Sequence, residues 1–281
     1  MPSPTIAVTG ATGRLGGRVA RRLAAAGVPQ RLLVRDPARA PRLPGADVAV
    51  AGYDDGPAVE AALRGVPTVL LVSASESPDR LRQHETFIDA AAAAGVERIV
   101  YISFYGAAPD ATFTHARLHW ATEQHLRASG LAFVALRDNL YLDFMPALMG
   151  DDDVIRGPAG DGRVSAVAQD DIADVAAAVL RDPAPHDGQV YDLTGPEELT
   201  LTEAAAILSA HLGREIRFHD ETVEEAYASR AGYGAPAWEV DGWVSTYTAI
   251  AAGEMAGVSD VVPRLTGHPA TALAELLARA G

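Results

Sequence analysis

The stretch "TIAVTGATGRLGGRVARRL", residues 5 to 23, decides the fold. A short apolar run of strand character ends in a glycine-rich turn, and a stretch of helical character follows it. Gly10, Gly13 and Gly16 stand in that turn at GxxGxxG spacing. Glycine at these places lets the chain turn tightly, lets a pyrophosphate approach the backbone and lets helix and strand pack closely. The helix N-terminus then faces the anion. Taken alone, the pattern serves packing as readily as ligand binding, so its surroundings decide.

Further apolar runs bounded by turn residues follow: "QRLLVRD" at 30 to 36, "DVAVAG" at 47 to 52, "TVLLVSA" at 68 to 74, "RIVYISF" at 98 to 104 and "AFVALRD" at 132 to 138. Runs rich in β-branched and aliphatic residues suit strands buried on both faces of a parallel sheet. Helical stretches at 14 to 26, 55 to 64, 80 to 94 and 115 to 129 separate them. The alternation predicts an α/β protein with a Rossmann-type doubly wound parallel sheet. From about residue 195 it loosens into helical segments, "LTEAAAILSAHLG" and "PATALAELLARA", which predicts a smaller, mainly helical C-terminal substrate lobe. The expected division is a dinucleotide-binding Rossmann domain at 1–140 and 163–194, with the lobe at 141–162 and 195–281.

Composition narrows the chemistry. The net charge of −14 repels a phosphate backbone, so nucleic acid is not an expected partner. The first strand begins near residue 5 and no apolar run approaches the roughly 18 residues of a membrane span, which reads as a cytoplasmic protein without a membrane partner. The absence of cysteine excludes thiolate nucleophiles and cysteine-ligated metals. All 23 basic residues are arginine. That removes Schiff-base chemistry, a Walker lysine and the Tyr/Lys pair of ordinary short-chain dehydrogenases.

The choice of dinucleotide is read at the end of the second strand, where an acid grips the ribose of NAD and an arginine accommodates the extra phosphate of NADP. Arg35 stands there, and Arg14 in the glycine loop adds a second cation. NADP is therefore the expected cofactor, with NADPH preferred over NADH. The competing reading makes Arg35 a solvated surface residue and Asp36 the ribose ligand.

Taken together, "AVTGATGRLGG" at 7 to 17, "LVRDPARA" at 33 to 40, "HWATEQHLRASG" at 119 to 130, "LRDNLYLDF" at 136 to 144 and "LTGHPATAL" at 265 to 273 resemble the NmrA-like branch of the atypical short-chain dehydrogenases. Within it, the subgroup of bacterial type 2 quinone oxidoreductases and triphenylmethane reductases is the most similar. The resemblance implies a nicotinamide held between Rossmann domain and lobe. It also implies cofactor contacts at Gly10, Thr12, Gly13, Arg14, Leu15, Arg35, Ser73, Ala74 and Ser75, to which the glycine spacing adds Gly16. Two positions depart from the family pattern. Asp138 stands where an asparagine is usual, with Asn139 next, and Gly52 rather than an acid precedes Tyr53.

Without the Tyr/Lys pair, hydride transfer must rely on alignment and on an electrophilic acceptor, such as a quinone or a cationic conjugated dye. His119 and Tyr141 are the candidate catalytic groups: a histidine that donates or accepts near neutral pH, and a phenol that hydrogen-bonds a quinone oxygen. The alternatives are a packing role for His119 and a core role for Tyr141. Ser103 is a candidate cofactor contact, while Phe104, Tyr105, Asn139 and Trp238 are candidate walls of the substrate pocket. Trp238 belongs to the aromatic stretch "YGAPAWEVDGWVSTY" at 233 to 247, which serves equally as pocket, core or homodimer contact. His115 and His119 have the spacing of a metal pair but lack the zincin glutamate, so no metal is expected. Asp170, Asp171 and Asp174 read as charges complementing a helix N-terminus.

The expected function is an NADPH-dependent oxidoreductase that passes hydride to a quinone or related conjugated aromatic acceptor. A non-catalytic dinucleotide sensor of the NmrA type is the alternative, as is a pathway-specific reductase of an aromatic biosynthetic intermediate.

Overall fold

Three buried residues, Ile6–Val8, form the first strand, β1, and its exit into helix α1 (Arg14–Ala25) is set by two glycines. Gly10 sits at φ +64°, in the left-handed region, where a side chain would also press on Val72. A Cβ on Gly16 would lie 2.4 Å from the Gly10 carbonyl oxygen and 2.6 Å from that of Thr9. Only a residue without a side chain lets α1 descend this close onto the end of β1.

The computed structural model describes residues 5–280, so residues 1–4 and 281 of the expected domain ranges lie outside the described residues. The chain then runs through β2 (Gln30–Val34), β3 (Ala46–Val50), α2 (Gly56–Leu63), β4 (Thr68–Leu71), α3 (Arg80–Ala93), β5 (Arg98–Phe104), α4 (Thr114–Ala128) and β6 (Ala132–Asp138). After it come β7 (Val154–Gly157), β8 (Arg163–Val164), α5 (Gln169–Arg181), β9 (Val190–Leu193), β10 (Leu199–Thr200), α6 (Leu201–Leu212) and β11 (Arg217–Asp220). Helices α7 (Val223–Arg230), α8 (Ala237–Ala251), α9 (Val261–Thr266) and α10 (Leu273–Ala280) complete it.

Seven strands form one sheet in the order β3-β2-β1-β4-β5-β6-β9, and β1 pairs in parallel with both β2 and β4. The reversal of strand order beside β1 is the doubly wound signature, and it opens a crevice at the carboxyl ends of β1 and β4. One expectation is corrected. β3 is not buried on both faces, because it forms the sheet edge and leaves Val50 55% exposed. β9, whose exposed and buried residues alternate, fills the other edge.

The chain divides into two compact units: Met1–Ser103 (described from Thr5), Leu118–Arg137 and Asp170–Tyr191 in the first, and Phe104–Arg117, Asp138–Gln169 and Asp192–Gly281 (described to residue 280) in the second. Segments 104–117, 138–140, 163–169 and 192–194, which fall within the expected Rossmann ranges, group with the second unit. The first unit packs Leu63, Leu71, Phe87, Ile88, Ile99 and Tyr101 into its core. The second has its own core around Phe113, Met145, Ile155, Leu208 and Ile250. Among the described residues, no helix is long and apolar enough to cross a membrane.

Two features of the first unit brace the sheet. Glu123 is fully buried, accepting from Ser103 Oγ at 2.7 Å and from Arg137 Nε and Nη2 at 2.8 Å each. Between α1 and α5, Arg22 reaches Asp174 at 2.6 Å and Asp170 at 2.9 Å, and Arg18 also reaches Asp170. Complementing the N-terminus of α5 is thus not the whole role of Asp170 and Asp174, which clamp α5 to α1. Burial opposes ionisation of Asp170, yet the hydrogen bond and charge of Arg22, with Arg18, outweigh it and hold the carboxyl below its ordinary value.

Two outcomes follow. Gly16→Ala must displace backbone rather than a flexible side chain, so a thermal melt is expected to show destabilisation of about 2 kcal/mol or more. Asp170 has a depressed folded pKa, so its stabilisation is present above its unfolded value near 3.8 and is lost as pH falls through the folded value. The carboxylate is half exposed, so Arg22→Met is expected to cost about 1 kcal/mol at pH 7. Denaturant titrations should show that difference shrinking below about pH 4.

Candidate functional site

The first unit holds a cavity of about 500 Å³ at the glycine turn. Gly10, Thr12, Gly13, Arg14, Leu15 and Gly16 line it from the turn and the start of α1, Arg35 from the end of β2, and Ser73, Ala74 and Ser75 from the chain beyond β4. Ten of the eleven positions singled out for the cofactor are thus brought to one cavity. The eleventh, Ser103, is buried away from its wall, with its hydroxyl donated to Glu123.

Several observations bear on what the cavity holds. Gly13 is the N-cap of helix α1, so no side chain caps the helix's free amides, and its first turn contains no acid. With no acid there its N-terminus suits an anion, and Arg14 and Arg35 are both among the residues of the wall beside it. Asp36, the competing ribose ligand, turns its carboxylate into its own chain and accepts from the Ala38 amide at 2.9 Å. Ser77 Oγ is buried at the wall with no protein hydrogen-bond partner, a polar atom available to a ligand. These residues fit a phosphorylated dinucleotide.

The wall also contains residues that the sequence reading did not assign to the site. Tyr53 donates its hydroxyl to the Val72 carbonyl at 2.7 Å, and burial pushes its phenol up to about 12. Asp54 and Gln83 stand nearby on the wall. Asp54 directly follows Tyr53 on the wall, while Asp55 caps α2 through the Ala58 amide at 3.1 Å. Behind the wall lies His84, which no sequence motif marks.

The second unit holds a separate cavity of about 610 Å³, walled mainly by Tyr141, Phe144, Met145, Tyr233, Trp243 and Tyr247. Arg156 and Arg230 also line it. Both are paired: Arg156 with Asp152, and Arg230 with buried Glu221 at 2.8 Å while its guanidinium lies 5.3 Å from the centre of the Tyr247 ring. Asp152 thus serves an ion pair as well as a solvated turn. The cavity has the size and the largely apolar, aromatic lining of a small-molecule site.

Of the residues singled out for chemistry, Tyr141 lines this second cavity and donates its hydroxyl to Asp138 at 2.9 Å. His119 is buried in the first unit, with Nδ1 2.9 Å from the Tyr101 hydroxyl, and lines neither cavity. Phe104, Tyr105, Asn139 and Trp238 do not line the aromatic cavity either. Phe104 packs on Phe113, and Tyr105 donates to the Ala256 carbonyl at 2.6 Å. Asn139 donates to the Met255 carbonyl at 2.9 Å, tying two chain segments together. Trp238 stands edge-on to His115.

The walls from α8 were legible in principle. Trp243, Thr246, Tyr247 and Ile250 are spaced i, i+3, i+4 and i+7, which puts them on one helical face, whereas Trp238 falls off that face.

Comparison with known proteins agrees with this architecture. The model of the NmrA-like family matches residues 2–233. An NAD(P)H azoreductase of Xenophilus azovorans is 36% identical over 278 residues, covering 96% of each chain. The crystal structure of an NADPH-dependent quinone oxidoreductase from Escherichia coli, complexed with NADPH, superposes with a TM-score of 0.90 at 34% identity, covering 98% of this chain and 99% of that one. A triphenylmethane reductase of Citrobacter sp., complexed with NADP(H), superposes with a TM-score of 0.87 at 30% identity, covering 98% of this chain and 100% of the other. With a sheet reversed at β1, an uncapped glycine-turn helix and relatives matched along nearly their whole length, the chain belongs to the NmrA-like family.

Proposed function

We propose that the protein is an NADPH-dependent oxidoreductase that reduces a quinone or a related conjugated aromatic acceptor. The observation that carries the proposal is the glycine-turn cavity, whose wall combines an uncapped helix N-terminus with Arg14 and Arg35 while Asp36 is turned aside. In this reading Gly10, Gly13 and the first amides of α1 hold the pyrophosphate. Arg35 and Arg14 hold the adenosine 2′-phosphate through charge-assisted hydrogen bonds. Thr12, Leu15, Gly16 and the Ser73–Ser75 segment complete the wall. Bound there, NADPH supplies a hydride from its nicotinamide.

The aromatic cavity is assigned to the acceptor. Tyr141, Trp243 and Tyr247 offer flat apolar surface to a conjugated ring system. Paired with Asp152 and Glu221, the two arginines of its wall are already neutralised. A quinone needs one hydride and one proton to become a quinol, and its own electrophilicity drives the hydride step. The proton then comes from a weak donor or from water. The lack of lysine is compatible with this chemistry and incompatible with the Tyr/Lys mechanism. The named relatives reduce azo, quinone and triphenylmethane compounds, acceptors that share extended conjugation, which supports the assignment. The partners proposed are small molecules, since a net charge of −14 disfavours nucleic acid.

The test is oxidation of NADPH, followed at 340 nm, against a panel of quinones, azo compounds and cationic dyes, repeated with NADH. Turnover is expected, with NADPH preferred. Tight NADPH binding without turnover of any acceptor would instead mark a sensor. Arg35→Ser is expected to raise KM for NADPH about 10- to 100-fold and to leave KM for NADH nearly unchanged. Trp243→Ala is expected to raise the acceptor KM about tenfold at constant NADPH affinity, measured with the best quinone of the panel.

A further inference from the structure

We propose that His84 is a positioning residue for the cofactor: its ring fixes the Ser73–Ser75 wall of the glycine-turn cavity. The inference rests on the cofactor reading above and adds to it a residue that lines neither cavity.

The wall in question follows β4, which ends at Leu71, so residues 72 to 74 lie beyond the strand proper. Side chains hold them one after another. The Val72 amide donates to Thr9 Oγ1 at 2.9 Å, and the Val72 carbonyl accepts from Tyr53. Ser73 donates its own hydroxyl to the Ile102 carbonyl at 2.8 Å. The Ala74 amide donates to His84 Nε2 at 2.9 Å. Ser75 follows on the wall itself, and through the Ala74 contact His84 sets the direction in which the chain leaves the sheet.

The hydrogen bonds determine the state of the ring. Nε2 accepts an amide proton, so it carries none of its own. Nδ1 lies 3.0 Å from Thr122 Oγ1, whose single proton is donated to the Leu118 carbonyl at 2.9 Å. Nδ1 must therefore bear the hydrogen and donate it to Thr122. His84 is 1% exposed, and burial, reinforced by the charge of Arg80, pushes its pKa down to about 3. The ring is thus neutral, in one tautomer, and rigidly spans from helix α3 to the wall on one side and to α4 on the other. Protonation of Nε2 would set an N–H against the Ala74 amide and release the wall.

Three substitutions separate positioning from bulk packing. Glutamine places an amide oxygen where Nε2 lies and can still accept from Ala74. Asparagine reaches Thr122 but not Ala74, and leucine reaches neither. Equilibrium NADPH binding, measured by cofactor fluorescence alongside thermal melts, is expected to rank them by the Ala74 contact. His84→Leu and His84→Asn should weaken binding about tenfold, as for a buried amide left unsatisfied, and His84→Gln by less than about threefold. Acceptor KM should be unchanged in all three. Folded His84→Leu protein that binds NADPH within twofold of the wild type overturns the proposal, as does equal weakening in all three variants. Should the leucine and asparagine variants not fold, Thr122→Val removes the acceptor that orients the ring, together with the hydroxyl's own bond to the Leu118 carbonyl within α4. An approximately threefold loss of NADPH affinity supports the assignment, and unchanged affinity overturns it. Wild-type protein that binds no NADPH overturns the cofactor reading itself, and this inference with it.

Discussion

The descent of α1 onto the end of β1 is the constraint from which the rest of the first unit follows. With no Cβ at Gly16, the helix comes within contact of the Gly10 and Thr9 carbonyls, and its uncapped first turn lines the cavity. The same descent brings Arg18 and Arg22 of α1 to the acids of α5, so a glycine requirement at one turn also places an ionic clamp on the fourth helix further along the chain. Thr9, the residue before the turn, then serves both sides. Its hydroxyl donates to the Leu70 carbonyl and accepts from the Val72 amide, locking the ends of β1 and β4 together where the strand order reverses. A phosphate site needs amides held still, and here they are held by backbone packing rather than by any side chain that would compete for the anion.

Much of this was legible in the chain. The apolar runs at 98–104 and 132–138 coincide with β5 and β6, and the run at 68–74 covers β4 and the three residues after it, because strands covered on both faces must be nearly uniformly apolar. The helical stretches agree with α1 to α4 within a residue or two at each end. β3 has the same composition but a different fate: its valines face outward because nothing in a local run reveals that a strand will be last in the sheet. β9 is short and half polar, with the alternation of an edge, so it carried no comparable signal.

The two cavities differ in how far sequence reaches them. The wall of the glycine-turn cavity consists largely of residues next to strand ends, and strand ends are what the apolar runs locate, so Arg35 and Ser73–Ser75 are placed on one wall by the sequence pattern. The wall of the aromatic cavity draws on one face of α8, the segment after β6, β7 and the end of α7, where aromatic density alone misleads. Trp238 and Trp243 count equally in composition, yet a five-residue offset turns them to different faces of the helix. Periodicity, rather than abundance, was the informative quantity. His84 lies beyond either signal, because its role comes from an amide ten residues away in the chain and a hydroxyl on another helix.

A chain without lysine or cysteine has few ways to activate a substrate, and the buried polar groups here show how those that remain are used. The Tyr141 hydroxyl is donated to Asp138, the Ser103 hydroxyl to Glu123, and His84 is fixed in one neutral tautomer. Each of these groups holds structure in place, and none is arranged as a strong acid beside the aromatic cavity. Chemistry of this kind places the burden on the acceptor, which must be electrophilic enough to take hydride unaided, and on the protein's ability to hold two planar molecules. Conjugated acceptors meet the first demand by delocalising the incoming charge. The second demand fits the hydrogen bonds of Thr9, Tyr53, Ser73 and His84, which gather at the glycine-turn cavity rather than in a catalytic dyad.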